Sequence, residues 1–216
     1  MAGEQVVVIG LGRFGSAVAL ELERLGHEVL AIDRSEQRVN DIAGDVTHTL
    51  ELDAADEDAL RGAGAADFTT AIVAISSDAE SSIFATMVLK RLGVRNVIAK
   101  AGSLLHGEIL ARAGADRVVF PERETGLRLA HSFSVPNIID YLDVAPGFGI
   151  EKIRAPKSFV GRTLGDLDLK GTLGLTPIAL RRGSQVFVNP ARDERVTEAD
   201  ELIVIGRDEK LERLRG

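Results

Sequence analysis

Apolar and polar positions follow two rhythms along this chain. A continuous apolar run at 5–9 (QVVVI) marks a strand buried on both faces. The glycine-rich stretch 10–15 follows it, and residues 17–25 have the spacing of a helix that Gly26 stops. The same order then repeats. Strands are predicted at 28–32, 47–51, 70–75, 96–99 and 117–120, and helices at 35–43, 57–63, 80–92, 104–113 and 124–133. Ser35 is the expected N-cap of the second helix. Each parallel crossover needs a helix, so strands alternating with helices through short loops predict an α/β fold, a Rossmann-like doubly wound parallel sheet.

The rhythm changes after residue 133. Ser134, Pro136 and Asn137 interrupt the helix, 138–142 is a short apolar segment, and 145–149 (APGFG) reads as a linker. Beyond it the pattern predicts a strand at 150–154, a helix near 163–169, and two strands flanking Arg182, Gly183 and Ser184. A strand at 202–205 and a helical turn at 210–214 complete a small α+β lobe. The expected organisation is therefore a nucleotide-binding domain over 1–133, a crossover at 134–148 and a second domain over 149–216. A lobe of about 70 residues gains little stability alone. Ile138, Ile139, Tyr141 and Leu142 also need a covering surface, in their own sheet or on a second subunit.

Composition narrows the classes. With 45% apolar and 27% charged residues, the 216-residue chain is globular rather than disordered. Its 26 basic and 33 acidic side chains give a net charge of -7, split as -9 through residue 143 and +2 after it. That sign is wrong for neutralising phosphates along a duplex, so no nucleic-acid partner is expected. There is no cysteine, which excludes disulfides, thiolate metal sites and cysteine nucleophiles. No signal-peptide pattern is seen, and no apolar run approaches the roughly 18 residues of a membrane helix. The expectation is a cytoplasmic chain that reaches a membrane only through a partner.

The strongest chemical signal is Gly10-Leu11-Gly12-Arg13-Phe14-Gly15. Alone, G-x-G-x-x-G is a weak motif. Here it follows an apolar strand, opens a helix, and is joined by Asp33 at the end of the next strand, which is the context the fingerprint demands. Gly10 would permit the tight turn, Gly12 the close approach of phosphate, and Gly15 the packing of helix on strand. The helix start offers N–H groups and positive dipole to an anion. Asp33 is placed for ribose hydroxyls and disfavours a 2′-phosphate, with Arg34 adjacent. Arg13 can clamp phosphates through paired hydrogen bonds.

Catalytic constellations are absent from the pattern. His27, His48, His106 and His131 fall in no metal or triad spacing, and Ser76-Ser77 and Ser81-Ser82 lack a G-x-S-x-G context. Asp56, Glu57 and Asp58 suit a helix N-terminus. The second lobe offers no convincing proton donor for a dehydrogenase. The expectation is a sensor that binds nucleotide without turning it over; a small NAD-dependent oxidoreductase is the alternative.

The runs 8–15 (VIGLGRFG) and 25–33 (LGHEVLAID) resemble the KTN/RCK regulators of potassium transport, the TrkA family. So do 113–119 (AGADRVV), Pro121-Glu122 and Gly126, and, in the second lobe, 178–180, Asn189-Pro190 and 198–202 (EADEL). A single copy of each lobe is similar to the Ktr type of regulatory subunit. The resemblance implies an RCK N-terminal and an RCK C-terminal lobe. It also implies a homo-oligomeric ring, an octamer built from dimers, docked beneath an integral-membrane potassium-translocating subunit and gated by ATP, ADP or NAD(H). By motif, Arg13 and Phe14 with the three glycines would meet phosphates, and Asp33, Arg34 and Ser35 the ribose. Asp53 and Ala54 would lie beside the base, and Ile75, Ser76 and Ser77 near ribose and adenine. Lys100, Ala101, Gly102 and His106 would line the phosphate end. Glu122 would sit near the terminal phosphate across a dimer interface, through a divalent cation such as magnesium or calcium. Lys100 and Glu122 could instead form a structural ion pair. Departures exist: Asp33-Arg34-Ser35 replaces the frequent Asp-x-Asn or Asp-x-Asp, and Leu52-Asp53 stands where Gly-Asp is frequent. Ile178, Arg181 and Pro190 occupy the region where some relatives bind a cyclic dinucleotide, although sheet core and hairpin surface is the better reading of them. Regulation of another cation transporter is the remaining alternative.

Overall fold

A computed structural model describes residues 3–75, 78–134 and 137–211. The chain divides into two compact units, Met1–Glu122 and Arg123–Gly216.

The first unit runs β1 (Gln5–Ile9), α1 (Arg13–Arg24), β2 (Glu28–Asp33), α2 (Glu36–Ile42), β3 (His48–Glu51), α3 (Glu57–Gly62), β4 (Thr70–Val73), α4 (Ala79–Arg91), β5 (Asn96–Lys100), α5 (Leu104–Arg112) and β6 (Arg117–Val119). All six strands are parallel, in the order β3-β2-β1-β4-β5-β6. The apolar run at 5–9, read as a strand buried on both faces, is so, and β2 behaves alike: successive residues of β1 and β2 feed two different cores. Val7, Ile9, Leu30 and Ile32 pack with Leu60 of α3, Ala85 and Leu89 of α4 and Leu110 of α5. Val6, Val8, Val29 and Ala31 pack with Ala19 of α1 and Val39 and Ile42 of α2. The period-2 side-chain alternation of a strand thus divides one apolar run between two helical layers. The strand order reverses between β1 and β4, and a doubly wound sheet opens a crevice there, beyond the carboxyl ends of its strands.

Two local readings change. α1 starts at Arg13 rather than at 17, because Gly12 itself is its N-cap, with φ -72° and ψ -176°. Ser35 is the N-cap of α2, but its side chain makes no capping bond.

α6 (Pro121–Ser134) spans the division between the units, so the helix expected to end the first domain belongs mostly to the second unit. That unit continues with β7 (Ile138–Ala145), β8 (Phe148–Arg154), α7 (Leu164–Leu167), α8 (Leu169–Leu173), β9 (Thr176–Arg182), β10 (Gln185–Val188), β11 (Asp200–Arg207) and α9 (Asp208–Leu211). The sheet is antiparallel, β10-β9-β11-β8-β7. Ile153, Leu180, Leu202 and Val204 form its core with Leu164, Leu169 and Leu211 of the short helices. The turn at Gly183-Ser184 joins β9 to β10 as expected, with Gly183 at φ +58°. The expected linker at 145–149 is a second hairpin. Ala145 pairs with Phe148, leaving Pro146 and Gly147 (φ +77°) as the turn, and a side chain on Gly149 would collide with the Tyr141 ring. Ile138 and Tyr141 are covered by their own sheet, whereas Leu142 and Val144 are exposed. The expected helical turn at 210–214 begins earlier, at Asp208, and its residues after 211 lie outside the described set.

Candidate functional site

The described candidate residues, His106 apart, gather at the carboxyl ends of the six parallel strands. Gly10 to Gly15 follow β1, Asp33 to Ser35 follow β2, Asp53 and Ala54 follow β3, and Ile75 follows β4. Lys100, Ala101 and Gly102 end β5, and Glu122 follows β6. Ser76 and Ser77 lie outside the described residues.

The three glycines are glycine for three different reasons. Gly10 has φ +92°, and a Cβ there would stand 2.9 Å from the Ile75 nitrogen. Gly15 packs so closely on the turn that a Cβ would overlap the Gly10 carbonyl and press on Ala74. Gly12 has an ordinary backbone, and a Cβ on it would meet nothing within 4 Å. The fold does not need glycine at that position; an approaching ligand would. α1 has no side-chain cap and no acidic residue in its first turn, so its positive end is left to another anion.

Asp33 braces this turn. It is 5% exposed. One carboxylate oxygen accepts from the Leu11 N–H at 2.7 Å and from Arg38 at 3.3 Å; the other accepts from the Ser35 N–H at 2.9 Å. A carboxylate has about four acceptor sites, so one remains, on the oxygen facing Ser35. Arg38 was not singled out from the sequence; its signal is an arginine in the first turn of the helix that follows the acidic residue. Arg34 turns instead toward Asp78, the N-cap of α4, at 3.6 Å. Asp53 accepts from the Ala55 N–H beside the exposed end of β3, and Ala54 is buried.

At the other end of the crevice, Lys100, Phe14 and Glu122 come together. The Lys100 ammonium lies 2.5 Å from a Glu122 carboxylate oxygen and 5.4 Å from the centroid of the Phe14 ring. Ala101 is held below Val119 by a backbone bond, and Gly102 is exposed. The hydrogen bond from Lys100 holds the Glu122 carboxyl below its ordinary range, and the field of Arg13 adds to it.

His106 points elsewhere. It is buried, its Nδ1 accepts from the Gly102 N–H at 3.3 Å, and its Nε2 lies 2.8 Å from the Ser82 hydroxyl. Acceptance at Nδ1 assigns the proton to Nε2, which donates to Ser82, whose hydroxyl in turn donates to the Ala79 carbonyl. Burial lowers its pKa, favouring this neutral form. Both ring nitrogens are thus engaged within the protein.

In the second unit, Ile178 and Pro190 are half-buried, and Arg181 forms a two-point pair with Glu201 at 2.5 and 2.7 Å. Arg181, joined by Lys152 at 2.9 Å, holds the Glu201 pKa down at about 2 against the opposing effect of burial. These charges satisfy one another across the sheet. Among the described residues, no group of three or more histidine and acidic side chains could hold a metal ion, and no helix is long and apolar enough to cross a membrane.

Residues 6–121 match the TrkA-N domain family, and residues 150–216 match the TrkA-C domain family. The chain is 34% identical over 210 residues to Ktr system potassium uptake protein A of Bacillus subtilis (strain 168), covering 97% of this chain and 95% of that one. It is 38% identical over 203 residues to Ktr system potassium uptake protein C of the same organism, covering 94% and 92%. The solved structure of the GsuK channel bound to NAD matches with a TM-score of 0.70 at 20% identity, over 100% of this chain and 40% of that chain. At that identity the likeness is one of fold.

Proposed function

This chain belongs to the TrkA family, in which a TrkA-N domain is joined to a TrkA-C domain, and on that premise we propose that it is a nucleotide-sensing regulatory subunit of a potassium transport system. The observation that carries the reading is Gly12. It is a glycine that the fold does not require, at the uncapped start of α1, where helix N–H groups can receive phosphate. The proteins of similar length that it resembles bear the name of potassium uptake proteins.

In this reading an adenine nucleotide, ATP, ADP or NAD(H), lies across the carboxyl ends of the strands. The first turn of α1 and the guanidinium of Arg13 bind phosphates, and the remaining acceptor site of Asp33 takes one ribose hydroxyl. Asp53, Ala54 and Ile75 border the base. Lys100 adds positive charge at the phosphate end, beside Ala101 and Gly102, and His106 holds the Gly102 backbone in place. A magnesium or calcium ion fits only as a companion of phosphate, because Glu122 is the one carboxylate of the candidate set at that end, and such ions are commonly held by one or two carboxylates plus phosphate oxygens.

The subunit is read as a sensor rather than an enzyme, since its histidine nearest the site is engaged within the protein. It acts from the cytoplasmic face on an integral-membrane partner, as a homo-oligomeric ring, an octamer built from dimers. Calorimetry of the purified chain with ATP, ADP, NAD+ and NADH tests the first step, and potassium flux in vesicles carrying the membrane partner tests the second. Binding of none of the four ligands overturns the reading.

A further inference from the structure

The Lys100–Glu122 pair is lopsided. The Lys100 side chain is 5% exposed and that of Glu122 is 71% exposed. A buried ammonium needs an anion beside it, whereas an exposed carboxylate can return to water at little cost. Lys100 is the last residue of β5, fixed by its pairing with Val119 of β6. Its ammonium already lies over Phe14, the second residue of α1, so a phosphate at the start of that helix comes within its reach. Glu122 is the second residue of α6, the helix that leads from the first unit into the second.

We propose that Lys100 is a positioning residue that exchanges partners: it holds Glu122 while the site is empty and gives it up to a nucleotide phosphate, so that the first turn of α6 is tied to the sheet only in the absence of ligand. The direction of exchange follows from burial, since the partner that can be solvated is the one that leaves. The inference rests on the nucleotide reading above and adds how an occupied site is reported to α6.

The test is a double-mutant cycle on the full chain, in chelator, with ADP and ATP titrated by calorimetry. Glu122→Gln removes the competitor and is expected to tighten binding roughly tenfold, while Lys100→Met weakens it by a similar factor. In the Lys100→Met background, Glu122→Gln is expected to change affinity less than about twofold, because there is no longer a cation to compete for. Hydrogen exchange at the first turn of α6 supplies a second readout. Nucleotide should accelerate it in the wild type, and both single variants should exchange fast with or without ligand. An equal effect of Glu122→Gln in both backgrounds would show a carboxylate that merely repels phosphate, and overturns the exchange. So does an α6 that does not respond to nucleotide. If the wild type binds nothing, the nucleotide reading itself fails. Glu122 is exposed, so its variant keeps the test open even if Lys100→Met misfolds.

Discussion

At the scale of single residues, neighbouring glycines make opposite predictions. Gly12→Val should leave stability within about 1 kcal/mol of wild type, the cost of a poorer helix cap, yet abolish nucleotide binding by filling the space above α1. Gly15→Val should cost more than about 4 kcal/mol, since its Cβ overlaps the Gly10 carbonyl. Thermal unfolding and calorimetry on the two variants separate a ligand glycine from a packing glycine. His106 makes a prediction in pH. Its folded pKa lies below its ordinary value because of burial, so below about pH 6.5 the unfolded chain binds the extra proton first. Stability is therefore whole above that pH and falls as pH drops, by at most about 1.4 kcal/mol per unit. Urea midpoints at pH 7.5 and 5.5 should differ less in His106→Asn than in the wild type. The tight turn at Gly10, the close packing at Gly15 and the place of Asp33 at the end of β2 were legible in the sequence because they lie within one strand-turn-helix context. The Ser82–His106 bond was not, because its partners stand 24 residues apart and meet only where α4 packs on α5.

At the scale of elements, β1 and β2 could be read because burial on both faces leaves each an unbroken apolar run, at 6–9 and 29–32. β7 could not. Asp140 and Asp143 interrupt its apolar pattern, one edge of the strand is unpaired in the sheet order, and Pro146-Gly147 serves a hairpin as well as it would a linker. The start of α1 was missed because a glycine N-cap carries no side-chain signal. In the second unit, Asp200 is fully buried and accepts two bonds from Arg182 and two from Thr197, backbone N–H and hydroxyl. It locks β9, β11 and the loop before β11 together. Asp200→Ala leaves those donors without their shared acceptor and should cost at least about 3 kcal/mol. Each unit has its own core, so denaturation followed by hydrogen exchange should show the loss at Leu202 and Val204 while Ile9 and Ile32 keep their protection.

At the scale of the whole molecule, the proposed ring would require exposed apolar surface on the subunit. Phe84 and Met87 of α4 and Leu104, Leu105 and Ile109 of α5 supply it on two helices that touch. Light scattering should find an assembly larger than a monomer at micromolar concentration, and Phe84→Glu with Leu105→Glu should lower its mass without lowering the unfolding temperature. The open space above Gly12 then has a genetic consequence. In the proposed ring, a Gly12→Val chain that folds and keeps its apolar helices would assemble with wild-type copies yet contribute a sensor that is permanently vacant. Such an allele is expected to be dominant where a deletion would be recessive. Co-expressed with the wild-type gene, it should depress nucleotide-responsive potassium uptake by more than its share of the pooled subunits, and the steepness of that loss with gene dosage counts how many sensors must be filled for one ring to act.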